Sequence, residues 1–292
     1  MDVEITPEFS KAAGSLADLP AYCSPEGGLG SLWGTLIDPE RPLVYLSEEL
    51  PAGSVRTLHD HPRGQLAWAT SGVLRVNTEE GSWVVPPSHA VWITGGLRHE
   101  VEVLSPAFIR YLFTDPSIEH RLPDRCQVMT VTPLLRELVL RLLTLDVSGS
   151  LEAKDQRLVE VIVDELGSLE STPLYLPSGT DRRLKALMES MSRNPADTRP
   201  LPELAADVGA SPRTIERLFQ AEAGMGFRQW RTRLRLLQAI QRLSEGETSA
   251  AIAQSLGYSS SSAFVAAFRR YFGKPPQSFV SLLSADESIA AV

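Results

Sequence analysis

Cysteine is nearly missing from this 292-residue chain, which carries only Cys23 and Cys126. Two isolated thiols exclude a disulfide framework and a Cys-rich metal site, and a reducing cytoplasm is the expected compartment. Long apolar runs are missing as well. No stretch approaches the roughly 18 apolar residues of a membrane-spanning helix, so no membrane partner is expected. The N-terminal MDVEITPEFS is acidic and lacks the basic and apolar regions of a signal peptide. No low-complexity tract interrupts a composition of 43% hydrophobic and 22% charged residues, that of a globular protein. The length accommodates two ordinary domains, each with its own core. Histidine is scarce, with five in all, which gives weight to where they fall.

The net charge of −8 argues against indiscriminate nucleic-acid binding, but it averages two opposite halves. Asp181–Val280 holds 15 Lys+Arg against 9 Asp+Glu, and the rest of the chain holds 13 against 27. A basic C-terminal part on an acidic body is the electrostatic layout of a DNA reader attached to something else.

That basic part contains the same helical punctuation twice, about 48 positions apart: LPELAADVGASPRTIERLF (Leu201–Phe219) and SAAIAQSLGYSSSSAFVAAF (Ser249–Phe268). Each copy has a short apolar-periodic helix with a small residue, Ala205 or Ala253, at a close-packing position. A turn Gly follows (Gly209, Gly257), then a Ser able to cap the next helix (Ser211, Ser259), then an amphipathic helix closing on Phe. Glycine permits the positive φ of a sharp turn, and the Ser oxygen accepts free N–H groups of the second helix. Pro212 suits the first helical position. Such a unit is a helix-turn-helix, whose second helix fits a DNA major groove. Between the copies, apolar Phe227, Trp230, Leu234, Leu237, Ile240 and Leu243 predict one helix over Phe227–Ser244. At about 27 Å it compares with the roughly 34 Å between successive major-groove faces.

Residues from about Pro42 to Phe113 read as roughly eight short strands, including QLAWAT, VLRVNT, SWVVPP, AVWIT, HEVEVL and FIRYLF, separated by Gly, Pro or Ser turns. This predicts an antiparallel barrel or jelly roll, with the first forty residues packed around it and Trp68, Trp83 and Trp92 in its core. Next, Leu134, Leu135, Leu138, Val139, Leu142 and Leu143, and after a break at Val147–Ser150 Leu158, Val161, Ile162, Leu166 and Leu169, recur with helical period. These stripes suit either a dimer seam or a cover for the barrel. Ser171–Thr180 (STPLYLPSGT) reads as a linker. The expected organisation is therefore α+β in two domains: a β-barrel sensor over 1–115, a helical region over 116–170, a linker over 171–180, and an all-α double helix-turn-helix over 181–281.

The repeat, followed by FRRYFGKPPQSF (Phe268–Phe279), resembles the DNA-binding domain of the AraC/XylS family of transcription regulators. The resemblance implies two helix-turn-helix units on a long connector, binding double-stranded DNA as one. In the first recognition helix Ile215, Leu218 and Phe219 face inward. Arg213, Thr214, Glu216 and Arg217 are left to contact bases, Arg to guanine and Glu to cytosine. The second helix presents small side chains, Ser260, Ser261, Ser262, Ala263 and Ala266, after a turn one residue longer. Ser261 and Ser262 are expected to contact DNA weakly, and Arg269, Arg270 and Lys274 to meet phosphates.

The β-region, HDHPRGQLAWATSGVLRV followed by GSWVVPPSHAVWITGGLRHEV, resembles a cupin of the subgroup with a metal-type motif. His59, His61, Gln65 and His99 fall where the motif carries its ligands, with Gln65 in place of the usual Glu. At i and i+2, His59 and His61 point to one face of a strand. Three imidazoles and an amide oxygen suit Zn, Fe, Ni or Mn as a divalent ion. The same residues also suit a pocket for an organic effector, or hydrogen bonding inside the barrel. His89 and His120 fit no motif and are expected at the surface.

The leading expectation is a DNA-binding transcription regulator and not an enzyme. It would be controlled by a small-molecule or metal effector in the barrel, with an operator, a homodimer partner and, for an activator, RNA polymerase as partners. The alternatives are a cupin dioxygenase or isomerase with an accessory DNA-binding domain, and an architectural DNA-binding protein whose barrel only dimerises.

Overall fold

The computed structural model describes residues 30–145 and 151–279. The first 29 residues, with Cys23, and the expected break at Val147–Ser150 lie outside the described residues. After helix α1 (Gly30–Thr35) come eight strands: β1 (Leu43–Leu50), β2 (Val55–His59), β3 (Gly64–Ser71), β4 (Leu74–Asn77), β5 (Gly81–Val85), β6 (His89–Ile93), β7 (His99–Val103) and β8 (Ala107–Thr114). Then follow β9 (Gln127–Thr130), α2 (Pro133–Leu142), α3 (Ala153–Ser168), β10 (Ser171–Thr172) and β11 (Tyr175–Pro177). They form two antiparallel sheets packed face to face as a jelly-roll-like sandwich, one in the order β1-β8-β3-β6-β9-β10 and the other β11-β5-β4-β7-β2.

The two sheets differ in what covers their outer faces, and the strands record it. β7 (HEVEV) alternates: His99, Val101 and Val103 point inward, while Glu100 and Glu102 meet Asn77 and Arg75 outside at 3.0 and 2.8 Å. β3 and β6 are buried on both faces instead. Leu66, Trp68, Ala90, Trp92 and Leu112 lie beneath Leu135, Val139 and Leu142 of α2 and Val159, Ile162, Val163 and Leu166 of α3. The two apolar stripes therefore cover the barrel, and Leu134 and Val161 are left exposed. Trp68, Trp83 and Trp92 are core residues.

Two segments differ from expectation. The region 116–170 is not wholly helical, because β9 pairs with β6, Val128 opposite Val91. Four residues are too few for a period to stand out. Nor does Ser171–Thr180 hang free: β10 pairs with β9, and β11 adds to the edge of the second sheet beside β5. A strand edge offers unpaired N–H and C=O groups, and backbone pairing there needs no particular side chain.

The C-terminal domain comprises α4 (Arg182–Arg193), α5 (Leu201–Asp207), α6 (Pro212–Ala223), α7 (Phe227–Ser244), α8 (Ser249–Ser255) and α9 (Ser261–Phe272). Gly209 and Gly257 have φ of +66° and +70°, as their turns require. Ser211 caps α6 by accepting the Thr214 N–H at 3.1 Å. In the second unit the cap is Ser260, not Ser259, accepting the Ala263 N–H at 3.1 Å. The longer turn moves the helix start by one residue. A single buried cluster runs from the sandwich interior through Leu174 and Leu176 to Leu184, Trp230 and Phe268 of the C-terminal domain.

Candidate functional site

The three histidines of the motif come together inside the barrel, by a route the strand pattern does not predict. A bulge in β2 lies between Arg56 and His59, so that His59, rather than Leu58, opposes His99 at the start of β7. Without the inserted residue, His59 would face outward. His61 is not on the strand at all. It sits just before the bend at Pro62–Arg63, and its Nδ1 is held 2.7 Å from the carbonyl of Arg63. The backbone of α1 closes over it, since a Cβ on Gly34 would stand 2.6 Å from the His61 ring. Gln65 follows on β3, as expected if Pro62–Gly64 turns, and its Oε1 is 2.8 Å from His61 Nε2.

All three rings are oriented in the same way. His59 Nδ1 is 2.8 Å from the Thr57 carbonyl and His99 Nδ1 is 2.8 Å from the Leu97 carbonyl, matching His61 and Arg63. A carbonyl only accepts, so each Nδ1 donates its N–H; the Nε2 atoms of His59 and His99 are left to the interior, while that of His61 meets the Gln65 amide. Ring centroids are 4.3 Å apart for His59 and His99, 5.2 Å for His61 and His99, and 5.7 Å for His59 and His61. One nitrogen from each lies within 4.8 Å of the others. His99 Nε2 is buried with no hydrogen-bond partner. Burial pushes the His99 pKa down to about 4, against the Leu97 hydrogen bond, with its two neighbours adding to the fall. Burial lowers that of His59 too. Both rings are therefore neutral near pH 7, with a lone pair free for an ion.

Arg63, inside the HDHPRGQ run, is the residue the sequence reading overlooked. It is fully buried, donates to the carbonyls of Leu36 (2.6 Å) and Arg41 (3.2 Å), and pairs with buried Asp115 at 3.5 Å. Burial alone would raise the Asp115 pKa. The N–H groups of Ser117 and Asp38, with the Arg63 charge, hold it below the usual range. The signal was there: a cation among the motif's turn residues. His120 is exposed as expected, but His89 is buried, stacked on Phe279 at 6.3 Å and bonded to Ser88 Oγ at 2.9 Å.

On the C-terminal domain Arg213 and Arg217 are exposed on α6, while Thr214 is drawn into the Ser211 cap at 2.8 Å. Glu216, half-buried on the same helix, is also engaged within the protein. Its carboxylate accepts the Phe227 N–H at 3.3 Å and caps α7, whose first N–H groups have no partner within the helix. Ser261, Ser262, Arg269 and Arg270 line one concave face of α9 together with Val265 and Ala266. Lys274 is not part of that face. It lies near enough to the barrel for its charge to lower the pKa of His89.

A two-sheet sandwich joined to paired helix-turn-helix units defines a DNA-binding regulator. A helix-turn-helix domain family matches residues 204–281. The HTH-type transcriptional regulator NimR of Escherichia coli (strain K12) is 34% identical over 227 residues, spanning 78% of this chain and 83% of that protein. A putative AraC-like transcription regulator of Streptomyces lividans is 35% identical over 103 residues, 35% of this chain and 34% of that protein. The structure of ToxT from Vibrio cholerae O395 has a slight likeness, TM-score 0.37 at 12% identity, covering 84% of this chain and 99% of that one. The chain belongs to the AraC-type helix-turn-helix transcriptional regulators. Among the described residues no helix is long and apolar enough to cross a membrane.

Proposed function

We propose that this regulator senses a divalent transition-metal ion held by His59, His61 and His99, and that the bound ion alters its affinity for an operator. The observation that carries the reading is the trio of imidazoles whose Nδ1 atoms are each tied to a backbone carbonyl, with His99 Nε2 buried and unpartnered. Metal-bound histidines are oriented by such second hydrogen bonds. Nitrogens on one tetrahedral ion at about 2.1 Å stand about 3.4 Å apart, so a cluster within 4.8 Å has to draw in by up to about 1.4 Å on binding. Gln65 occupies His61 Nε2 and would turn aside on binding. An all-neutral donor set favours a borderline ion such as Zn, Ni or Fe over Mg or Ca. An ion that binds the DNA-bound state differently must be bound differently by it in return.

On the DNA side, Arg213 and Arg217 read base edges. Ser261 and Ser262 position the second unit, and Arg269 and Arg270 hold phosphates. The test is metal analysis of untagged protein, together with operator binding measured with and without each ion. About one ion per chain, lost in His99→Ala, is expected, along with an ion-dependent shift in operator affinity. Absence of any ion, and no uptake on reconstitution, sinks the metal reading and leaves an organic effector for the same barrel.

A further inference from the structure

Arg235 stands in the middle of α7, the helix that joins the two helix-turn-helix units. Its Nε donates to the Pro195 carbonyl at 2.8 Å and its Nη2 to the Asp197 carbonyl at 2.9 Å, both in the loop leading from α4 into the first unit. Its Nη1 donates to the Gly257 carbonyl at 3.3 Å, in the turn of the second unit, and the guanidinium lies 5.9 Å from the Tyr258 ring centroid. One planar fork therefore bonds to both units. The units also touch directly there, since a Cβ on Gly257 would stand 2.9 Å from the Ala196 carbonyl and 3.1 Å from Thr198 Cγ2. The loop that receives the turn is itself braced. Asp197 pairs with Arg199 at 2.7 Å, and Arg199 reaches Asp207 at the end of α5 at 2.9 Å. Arg231, one turn earlier on α7, donates to the Arg199 carbonyl at 2.9 Å and bonds on the first unit's side only.

We propose that Arg235 is the positioning residue that fixes the distance and orientation between the recognition helices α6 and α9, and with them the separation of the two DNA segments the protein accepts. A straight connector sets how far apart the units sit but leaves each free to roll about its axis. A fork bonded to carbonyls of both units removes that freedom. Arginine is required because its donors are held in one plane at fixed angles, whereas the point charge of lysine satisfies one carbonyl at a time.

The test uses the full chain with Cys23→Ser and nitroxide labels on Arg213→Cys and Ser262→Cys, both exposed and on α6 and α9; Cys126 is buried and escapes labelling. Double electron–electron resonance then gives the distance distribution between the helices. In this otherwise unaltered chain one narrow distribution is expected. Arg235→Lys is expected to widen it at least twofold, and Arg231→Lys to leave it narrow. Selection of duplexes from a random library by the unlabelled chains is the second reading: Arg235→Lys should recover the same two segments at a spread of separations. An unchanged width in Arg235→Lys overturns the proposal, and so does equal widening in both variants, which would mark general loosening of α7. Far-UV dichroism checks folding, and Arg235→Gln, held to the same expectation, replaces any lysine variant that unfolds. Failure to select any specific duplex would instead count against the base-reading assignment of α6.

Discussion

The indole N–H of Trp230 on α7 donates to the carbonyl of Pro177 on β11 at 2.9 Å. The bond joins the centre of the DNA-reading domain to an edge strand of the barrel. Trp230 is 1% exposed, and other ties accompany it: Tyr271 Oη to the Pro173 carbonyl at 3.1 Å, and the Phe279 ring on His89. The two domains share a core, and the segment that leads into the C-terminal domain is itself paired to the second sheet.

Loss of that tie should uncouple the domains. Trp230→Phe keeps an aromatic ring but leaves the Pro177 carbonyl unpaired, a cost of about 1–3 kcal/mol. Trp230→Ala should cost about 3–5 kcal/mol. Calorimetry is expected to show one transition for the unaltered chain and two for Trp230→Ala. A single transition in both would mean that the coupling runs elsewhere.

The DNA contacts divide by consequence. Arg217→Ala should weaken binding to the cognate operator by about 1–3 kcal/mol and barely change non-specific affinity. Arg270→Ala should weaken binding to all sequences and reduce the salt slope by about 1. Titrations at several salt concentrations on cognate and scrambled duplexes separate the two. Glu216→Ala, by contrast, should lower the melting temperature through the lost α7 cap without altering base preference.

Gln65→Glu places a full negative charge beside the three imidazoles. Even at the screening of water, a charge about 4 Å from a dication contributes on the order of 1–2 kcal/mol, so ion affinity should rise about tenfold or more. Competition with a chromogenic chelator measures it, and unchanged affinity would place the ion away from Gln65.

Acid should destabilise the protein in part through His89. Burial, helped by Lys274, pushes its pKa down to about 4, whereas an unfolded histidine titrates near 6.5. Between those values the unfolded chain takes up a proton that the folded chain refuses. The contribution is therefore complete above about pH 6.5 and is lost as pH falls toward 4. From pH 7 to pH 5 the loss is about 2 kcal/mol for this residue, and His99 acts in the same direction. Urea unfolding at both pH values should show a shallower acid loss in His89→Gln.

Arg63→Met leaves the Asp115 carboxylate buried without its cation and frees the carbonyls of Leu36 and Arg41. The expected cost is about 3–5 kcal/mol. The loop from Leu36 to Arg41 should then exchange its amide protons faster, as read by hydrogen–deuterium exchange. Protection equal to that of the unaltered chain would remove Arg63 from its anchoring role.

Local chemistry was legible in the sequence. The turn glycines, the Ser211 cap, the Phe227–Ser244 helix and the β-segments each follow from residue type and spacing, because each is decided by a neighbour within a few positions. So was the identity of the four barrel residues, His59, His61, Gln65 and His99. What spacing could not supply was how they meet. The β2 bulge turns His59 inward only because it pairs with β7, forty residues away, and His61 is aimed by a bend beneath α1. Strand β11 hid in a segment rich in Pro and Ser because an edge accepts any backbone that reaches it. Glu216, Arg235 and His89 likewise take their roles from partners distant in sequence or in another domain. Residue chemistry determined that this chain reads DNA and carries a histidine cluster; long-range pairing and close packing, which no local period encodes, decided which residues hold the two together.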